Sequence, residues 1–415
     1  MIVVSHPTGN AFLRAVLEGL QQNNQLAEFH TTLSFAADDP LIRLLPVSFA
    51  EELLRRQFSV QPEKIFVHPM KEFLRLVSPR LGLSFLAKHE EGFACTDAVY
   101  RDLDKSVAGR LRAIAATKQI KGVYAYEDAA LETFSVASEL GIKCFYDLPI
   151  AYWTTVQKLL TEEKDRLPDW EPTLGGTRDT QEKLIRKTEE ALLADTIICP
   201  SKFVLQSLPE NLLSNKTCLV AEFGTPDLVL PERIYNGNDK LRVLFAGSMG
   251  QRKGLADLFA AMKLLNRRDV ELVVMGSPIV PMEFYRSQYA DFIHEPTRPH
   301  KDVLQLMQTC DVFVLPSIVE GRALVQQEAM LCGLPLIATP NAGGEDLIDE
   351  GKTGFLVPIR SPQAIAEKID WCANNKAYLK EMGSLARDKA KLYSWERYRK
   401  IILQTILPMA AGGQS

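Results

Sequence analysis

The feature that most constrains this chain is a rhythm of short β-branched and aromatic runs separated by longer amphipathic stretches, present twice over. The first round comprises Ile2–Ser5, Phe29–Phe35, Ile65–His68, Val123–Tyr126, Cys144–Leu148 and Thr196–Pro200. The second comprises Leu241–Ala246, Glu271–Met275, Phe292–Glu295, Val312–Pro316 and Leu336–Thr339. Short apolar runs alternating with helix-period segments read as parallel strands joined by crossover helices. Between the rounds lies Gly224–Asp239, rich in Pro, Gly and Asn. The pattern predicts two Rossmann-like, doubly wound α/β domains facing each other across a cleft, with ligands held at that cleft. We expect the first domain over 1–228, the second over 229–393, and a tail over 394–415. Ser394–Met409 in that tail is amphipathic, with Trp395 placed to anchor it, and is expected to form a helix that returns to the first domain.

Composition agrees and narrows the function. At 415 residues the chain exceeds what one compact core usually holds. A formal net charge of −4 provides no field for a polyanion, so nucleic acid is excluded as the main partner. The seven cysteines show neither a CxxC pair nor metal-ligand spacing with histidine, which suits a reducing compartment. The N-terminus lacks a basic then apolar leader, and no apolar run approaches the roughly 20 residues needed to cross a bilayer. A cytoplasmic location is expected.

The densest constellation is Leu315–Leu336, LPSIVEGRALVQQEAMLCGLPL: a strand end, a glycine-containing turn, a helix, and Gly-Leu-Pro into the next strand. A helix beginning near Arg322 would put Glu320 at its entry and Glu328 about two turns in, roughly 12 Å away at about 1.5 Å rise per residue. The backbone N–H groups of Gly321, Arg322, Ala323 and Leu324, with about half a positive charge, would then receive a diphosphate. Carboxylates on either side can each accept hydrogen bonds from vicinal hydroxyls, one pair on a sugar and one on a ribose. Two isolated glutamates would more often be a turn and a solvated helix face, so the neighbourhood decides. A second patch, Phe245–Gly254 (FAGSMGQRKG), follows the first strand of the second round. Gly247 and Gly250 let its backbone approach a ligand, while Arg252 and Lys253 neutralise a diphosphate, the one as a fork and the other as a point charge.

Pro316-Ser317 before Glu320, Gly321 after it, Glu328-Ala329-Met330, Gly333–Thr339 and the Arg252-Lys253-Gly254 patch together resemble glycosyltransferase family 4. The resemblance is strong over 241–360 and diffuse before 190. It implies the GT-B fold and transfer of a sugar, with net retention, from a nucleoside-diphosphate sugar to an acceptor hydroxyl, needing no cofactor beyond that co-substrate. It also implies that Glu320 holds the donor sugar, Glu328 the ribose, and Arg252 and Lys253 the leaving group. Ser248 stands where many relatives place an arginine. Where relatives carry a histidine near the reacting carbon, after a mid-domain strand of the first domain, this chain has Asp147, with Glu127 and Asp128 after the preceding strand as competitors. On the acceptor side, Gly9 and Asn10 lie in the loop after strand one, beside His6; an ordinary turn with Asn10 as helix cap explains them equally well.

Other features carry less. Asp102-Leu103-Asp104 has the form of a metal-binding pair but lies within an amphipathic helix pattern, so no metal is expected. Ile65–Leu86 interleaves Lys71, Arg75 and Arg80 with apolar residues. A core helix broken at Pro79 is the preferred reading, and peripheral contact with an anionic membrane the other. Two rival functions remain: a non-catalytic paralogue that binds nucleotide sugars or supports a partner enzyme, and a GT-B nucleotide-sugar epimerase.

Overall fold

The computed structural model describes residues 1–36, 42, 47–228, 230–231 and 240–411. The linker expected over Gly224–Asp239 falls largely outside them. Two all-parallel sheets organise the rest. The first has strand order β3-β2-β1-β4-β5-β6-β7: β1 Ile2–Ser5, β2 Leu26–Thr31, β3 Ile65–Val67, β4 Gly122–Tyr126, β5 Lys143–Asp147, β6 Thr196–Cys199 and β7 Thr217–Val220. The second runs β10-β9-β8-β11-β12-β13: β8 Leu241–Ala246, β9 Val270–Met275, β10 Phe292–Glu295, β11 Val312–Leu315, β12 Leu336–Ala338 and β13 Gly354–Leu356. In each sheet the order reverses beside the first strand, which opens a crevice at the carboxyl ends of β1 and β4, and of β8 and β11.

The sequence rhythm differs from this in three strands. The second strand is Leu26–Thr31, not Phe29–Phe35. All six of its residues are buried because Glu28 is neutralised by Arg110 at 2.7 Å and Lys118 at 2.6 Å and hydrogen-bonded to His30 at 3.1 Å, a compensation that local polarity conceals. The edge strands β7 and β13 were not expected. They span four and three residues, TCLV and GFL, too short to show a period, and complete the sheets through backbone pairing.

Two elements cross between the domains. The helix Trp395–Ala410 is capped by Ser394, whose hydroxyl accepts the Arg397 N–H at 3.0 Å. Its Tyr398, Ile402 and Ile406 sit in one core with Ile2, Val4 and Phe145 of the first sheet. The second crossing is an excursion between β5 and β6: helix Trp153–Arg166 and the 3-10 turn Pro168–Thr173. It carries Trp170 into the second domain's core, edge-on to Phe259, Phe284 and Tyr285.

The stretch Ile65–Leu86 is not a core helix. Helix Pro69–Val77 buries Glu72 and Leu76 and runs directly into a 3-10 turn, Ser78–Leu81. Met70, Phe73, Leu81, Leu83 and Phe85 are exposed. Among the described residues, no helix is long and apolar enough to cross a membrane.

Candidate functional site

The strongest convergence lies at the carboxyl edge of the second sheet. After β8 the chain makes the loop 247–250 and a 3-10 turn, Gln251–Lys253; after β11 it makes the turn 316–323. Hydrogen bonds pin the two together: the Ile318 N–H donates to the Arg252 carbonyl at 2.9 Å, and Asn341 Nδ2 donates to the Ile318 carbonyl at 2.7 Å. Arg252 Nη1 then reaches both Glu320 Oε2, at 3.0 Å, and the Val319 carbonyl, at 3.1 Å. Lys253 Nζ forms a very short ion pair with the same carboxylate oxygen. Burial alone would push the Glu320 carboxyl up, but Lys253 and Arg252 outweigh it and hold the group below its ordinary value. Burial pulls the Lys253 ammonium down, with Glu320 opposing. The result is a nearly enclosed carboxylate with two cations converging on one of its oxygens.

The helix after this turn is Leu324–Leu331, starting two residues later than expected, with Ala323 as its cap. Glu320 is therefore separated from Glu328 by an irregular turn, and the helical-rise estimate of their spacing does not apply. Of the four proposed N–H donors, Ala323 gives its N–H to the Ala342 carbonyl at 3.4 Å, and Gly321 gives its own to Glu320 Oε1 at 3.4 Å. The Arg322 side chain is engaged away from the cluster: its buried guanidinium bonds Gln327 at 3.0 Å, approaches Asp346 at 3.4 Å and lies over the Tyr393 ring. Leu324 opens the helix, with no side-chain cap in front of it. Glu328 faces the same edge and pairs with His300 Nε2 at 2.9 Å. His300 escaped the sequence reading, although Pro299-His300 at the start of the helix after β10 was the available signal. Ser248 is exposed at the mouth of the loop, and the space at Gly247 is bordered by the Lys253 side chain.

Gly321 is required by its neighbours across the domain junction. A Cβ there would lie 1.8 Å from the Pro149 carbonyl and 3.2 Å from the Ile150 Cα, and the Ser201 hydroxyl donates to the Gly321 carbonyl at 2.7 Å. The loop after β5 thus touches the turn that carries Glu320. Asp147 ends β5, but its carboxyl turns into the core. It is 2% exposed, lies beside the Tyr124 and Tyr398 hydroxyls, and its Oδ2 has no hydrogen-bond partner. Burial foremost, with Glu127 adding, raises it to about 7. The structure does not bring it into the Glu320 cluster. Glu127, its competitor, is buried, pushed up by that burial, and tied to Lys187 at 3.1 Å.

On the proposed acceptor side, Gly9 and Asn10 have structural work. Asn10 caps the helix Ala11–Gln22, accepting the Leu13 N–H at 2.9 Å. Gly9 has φ +75°, and a Cβ there would meet the Phe58 ring at 2.4 Å. His6 Nδ1 accepts the Thr8 and Gly9 N–H groups at 3.2 and 2.8 Å, and burial, then Arg14, lower the imidazole to about 3, so the ring is neutral. Asp104 accepts the Glu132 and Thr133 N–H groups at 2.7 and 2.9 Å, which explains that half of the Asp-x-Asp pair.

The structure brings Arg252, Lys253 and Glu320 together, with a later helix start than expected and with the Gly321 and Ala323 N–H groups already engaged. Residues 231–389 match the family model for Glycosyl transferases group 1. An uncharacterized glycosyltransferase of Methanocaldococcus jannaschii is 29% identical over 206 residues, 49% of this chain and 57% of that protein. The chain spans about half the length of the curated relatives it matches. Solved structures align over nearly the whole chain. Sucrose-phosphate synthase from Thermosynechococcus elongatus gives a TM-score of 0.68 at 17% identity, covering 99% of each chain. Anabaena HepE, solved in complex with UDP-glucose, gives 0.59 at 15%, covering 98% of this chain and 99% of its own. The fold is GT-B, and the second sheet lies within the segment that matches the group 1 model.

Proposed function

We propose that this protein is a retaining glycosyltransferase that moves a sugar from a nucleoside-diphosphate sugar to an acceptor hydroxyl. The observation that carries this is the convergence of Arg252, Lys253 and Glu320 at the carboxyl edge of the second sheet, where the domains meet. Two cations on a single carboxylate form a ready anion site, and a donor diphosphate would draw on both of them. Glu320, released in part, would turn to the donor sugar's hydroxyls, while Glu328, paired with His300, would receive the ribose. In the transfer, the acceptor oxygen bonds to the anomeric carbon as the bond from that carbon to the phosphate oxygen breaks. The nucleoside diphosphate leaves with the electron pair toward Arg252 and Lys253, and the acceptor proton departs on the leaving phosphate. Fixed charges aimed at a developing anion are the commonest large contribution to such a rate. The bound UDP-glucose of HepE supports a uridine donor.

The exposed Met70, Phe73, Leu81 and Phe85 support peripheral contact with a membrane through an apolar surface. One observation favours a second reading, donor binding without transfer: Asp147 stands where the resemblance implies a histidine, and it faces the core. The test is a thermal-shift series with UDP, GDP, ADP and their sugars, then release of nucleoside diphosphate. A ligand at 100 times its dissociation constant stabilises by about 2.7 kcal/mol. No shift with any nucleotide sinks both readings; a shift without product leaves only the second.

A further inference from the structure

A cavity of about 320 Å³ opens beside Arg252. Its other walls all come from the first domain: the loop after β5, the helix Trp153–Arg166, the glycine turn at 175–176 and the helix Gln181–Leu193. Two walls are shared with the donor cluster. Arg252 is the guanidinium bonded to Glu320, and Ile150 belongs to the loop that presses on Gly321. The cavity thus borders the donor cluster through Arg252 and Ile150.

The lining also indicates what fits. Trp153, Val156, Leu160, Leu174 and Leu184 form an apolar surface. The Trp153 indole N–H is committed to the Thr188 hydroxyl at 3.0 Å, so the ring offers its carbon face. The charged wall groups are committed as well: Lys187 lies 3.1 Å from Glu127 and 3.5 Å from Asp128, Asp179 lies 3.0 Å from Lys183, and Arg252 is bonded to Glu320 here and would be taken by the diphosphate once the donor is bound. A phosphorylated or polyhydroxylated acceptor would lose water from many groups and find few partners, leaving polar groups unpaired at a cost. An apolar body gains in proportion to the surface it removes from water.

We propose that this cavity is the acceptor site, and that the acceptor is an alcohol or phenol carried on an apolar aryl or alkyl body. This rests on the glycosyltransferase reading, so the experiment separates the two. UDP binding to the full chain is measured first by calorimetry and bears on the donor site alone. Binding of 2-naphthol is then followed by its fluorescence, in the wild type and in Val156→Trp and Gln157→Trp, two lining positions on one helix that would fill the cavity. The expected result is saturable naphthol binding that either variant weakens about tenfold or more, a loss of about 1.4 kcal/mol or more, with UDP affinity unchanged. Glucose 6-phosphate should fail to displace the naphthol. The proposal is overturned if both variants retain UDP affinity and bind naphthol as the wild type does, or if glucose 6-phosphate competes at equal concentration. A variant that loses UDP affinity as well has been misfolded, and the other then decides.

Discussion

The two domains bring residues to their junction in different ways. In the second, short turns directly after β8 and β11 deliver Arg252, Lys253 and Glu320, so the site is written in consecutive residues. In the first, the surface facing them is built by the long excursion between β5 and β6, which leaves its own domain, buries Trp170 in the other and returns. Along it Glu163, fully buried, accepts from Gln251 at 2.7 Å and Arg166 at 2.7 Å, while Arg166 also grips Asp257 at 2.8 Å. The proposed donor side is a local motif at the carboxyl edge of one sheet, whereas the opposite side is a tertiary construction that couples the domains.

The largest effect should come from breaking that coupling. Trp170→Ala removes a side chain that is 3% exposed and contacts three aromatic rings, at an expected cost of about 3–5 kcal/mol. Calorimetry should show the second domain melting earlier even though the mutation lies in the first domain's connection; a melting temperature within about one degree of wild type would show the excursion to be a passenger. Next is the donor edge. Lys253→Ala should lower kcat/KM by about 10²–10³-fold, the scale of losing one preorganised charge at a developing anion, and initial rates with a UDP-sugar would measure it. A loss under about twofold would remove the diphosphate from that cluster.

A third test addresses Asp147. Its folded pKa of about 7 lies above its ordinary 3.8, so the folded state holds the proton more tightly. The associated stability is complete below the unfolded value and disappears as pH rises through the folded one. Asp147→Asn lacks this term, so wild-type stability relative to the variant should fall by a few kcal/mol between about pH 4 and about pH 7.5 in urea melts. His6 works in the other direction. Held neutral at about 3, it contributes stability above 6.5 that is lost as pH falls toward 3. A relative stability independent of pH would return Asp147 to an open, solvated site. Smaller again, Glu328→Ala should raise donor KM about tenfold with kcat little changed, because a charged hydrogen bond contributes about 1.5–3 kcal/mol. A fall in kcat at constant KM would place Glu328 at the reacting centre instead.

The same contrast explains what the sequence could reveal. The strands β8 to β12 and the Glu320–Glu328 element were legible because their signal is local: β-branched runs and a charged turn. The helix start near Arg322 was two residues early, because the Arg322 side chain is drawn into the turn by Asp346, Gln327 and the Tyr393 ring. The acceptor-side cavity and the Trp170 plug were not legible at all. The cavity draws Ile150 and Arg252 together across about a hundred positions, and nothing near Trp170 in sequence says which core it enters. Asp147 was placed correctly at a strand end, but which way the carboxyl turns depends on Tyr398, delivered by a helix from the far end of the chain.

Asn10 provides the smallest effect and the finest discrimination. It had equal standing as an acceptor contact and as a helix cap, and the structure shows its carboxamide oxygen taking the Leu13 N–H at 2.9 Å while its amide nitrogen lies 3.3 Å from His6 Nε2. A cap contributes about 0.5–2 kcal/mol to the whole fold and nothing specific to the transition state. Asn10→Ala should therefore lower stability by about 1 kcal/mol and leave kcat unchanged, and Asn10→Asp, which keeps the accepting oxygen, should restore most of it. An acceptor contact would behave otherwise: stability would hold while acceptor KM rose in both variants. Urea melts and acceptor titrations on the two substitutions thus separate a first-domain edge that binds substrate at this loop from one whose loop only holds its helix in place and leaves binding to the excursion.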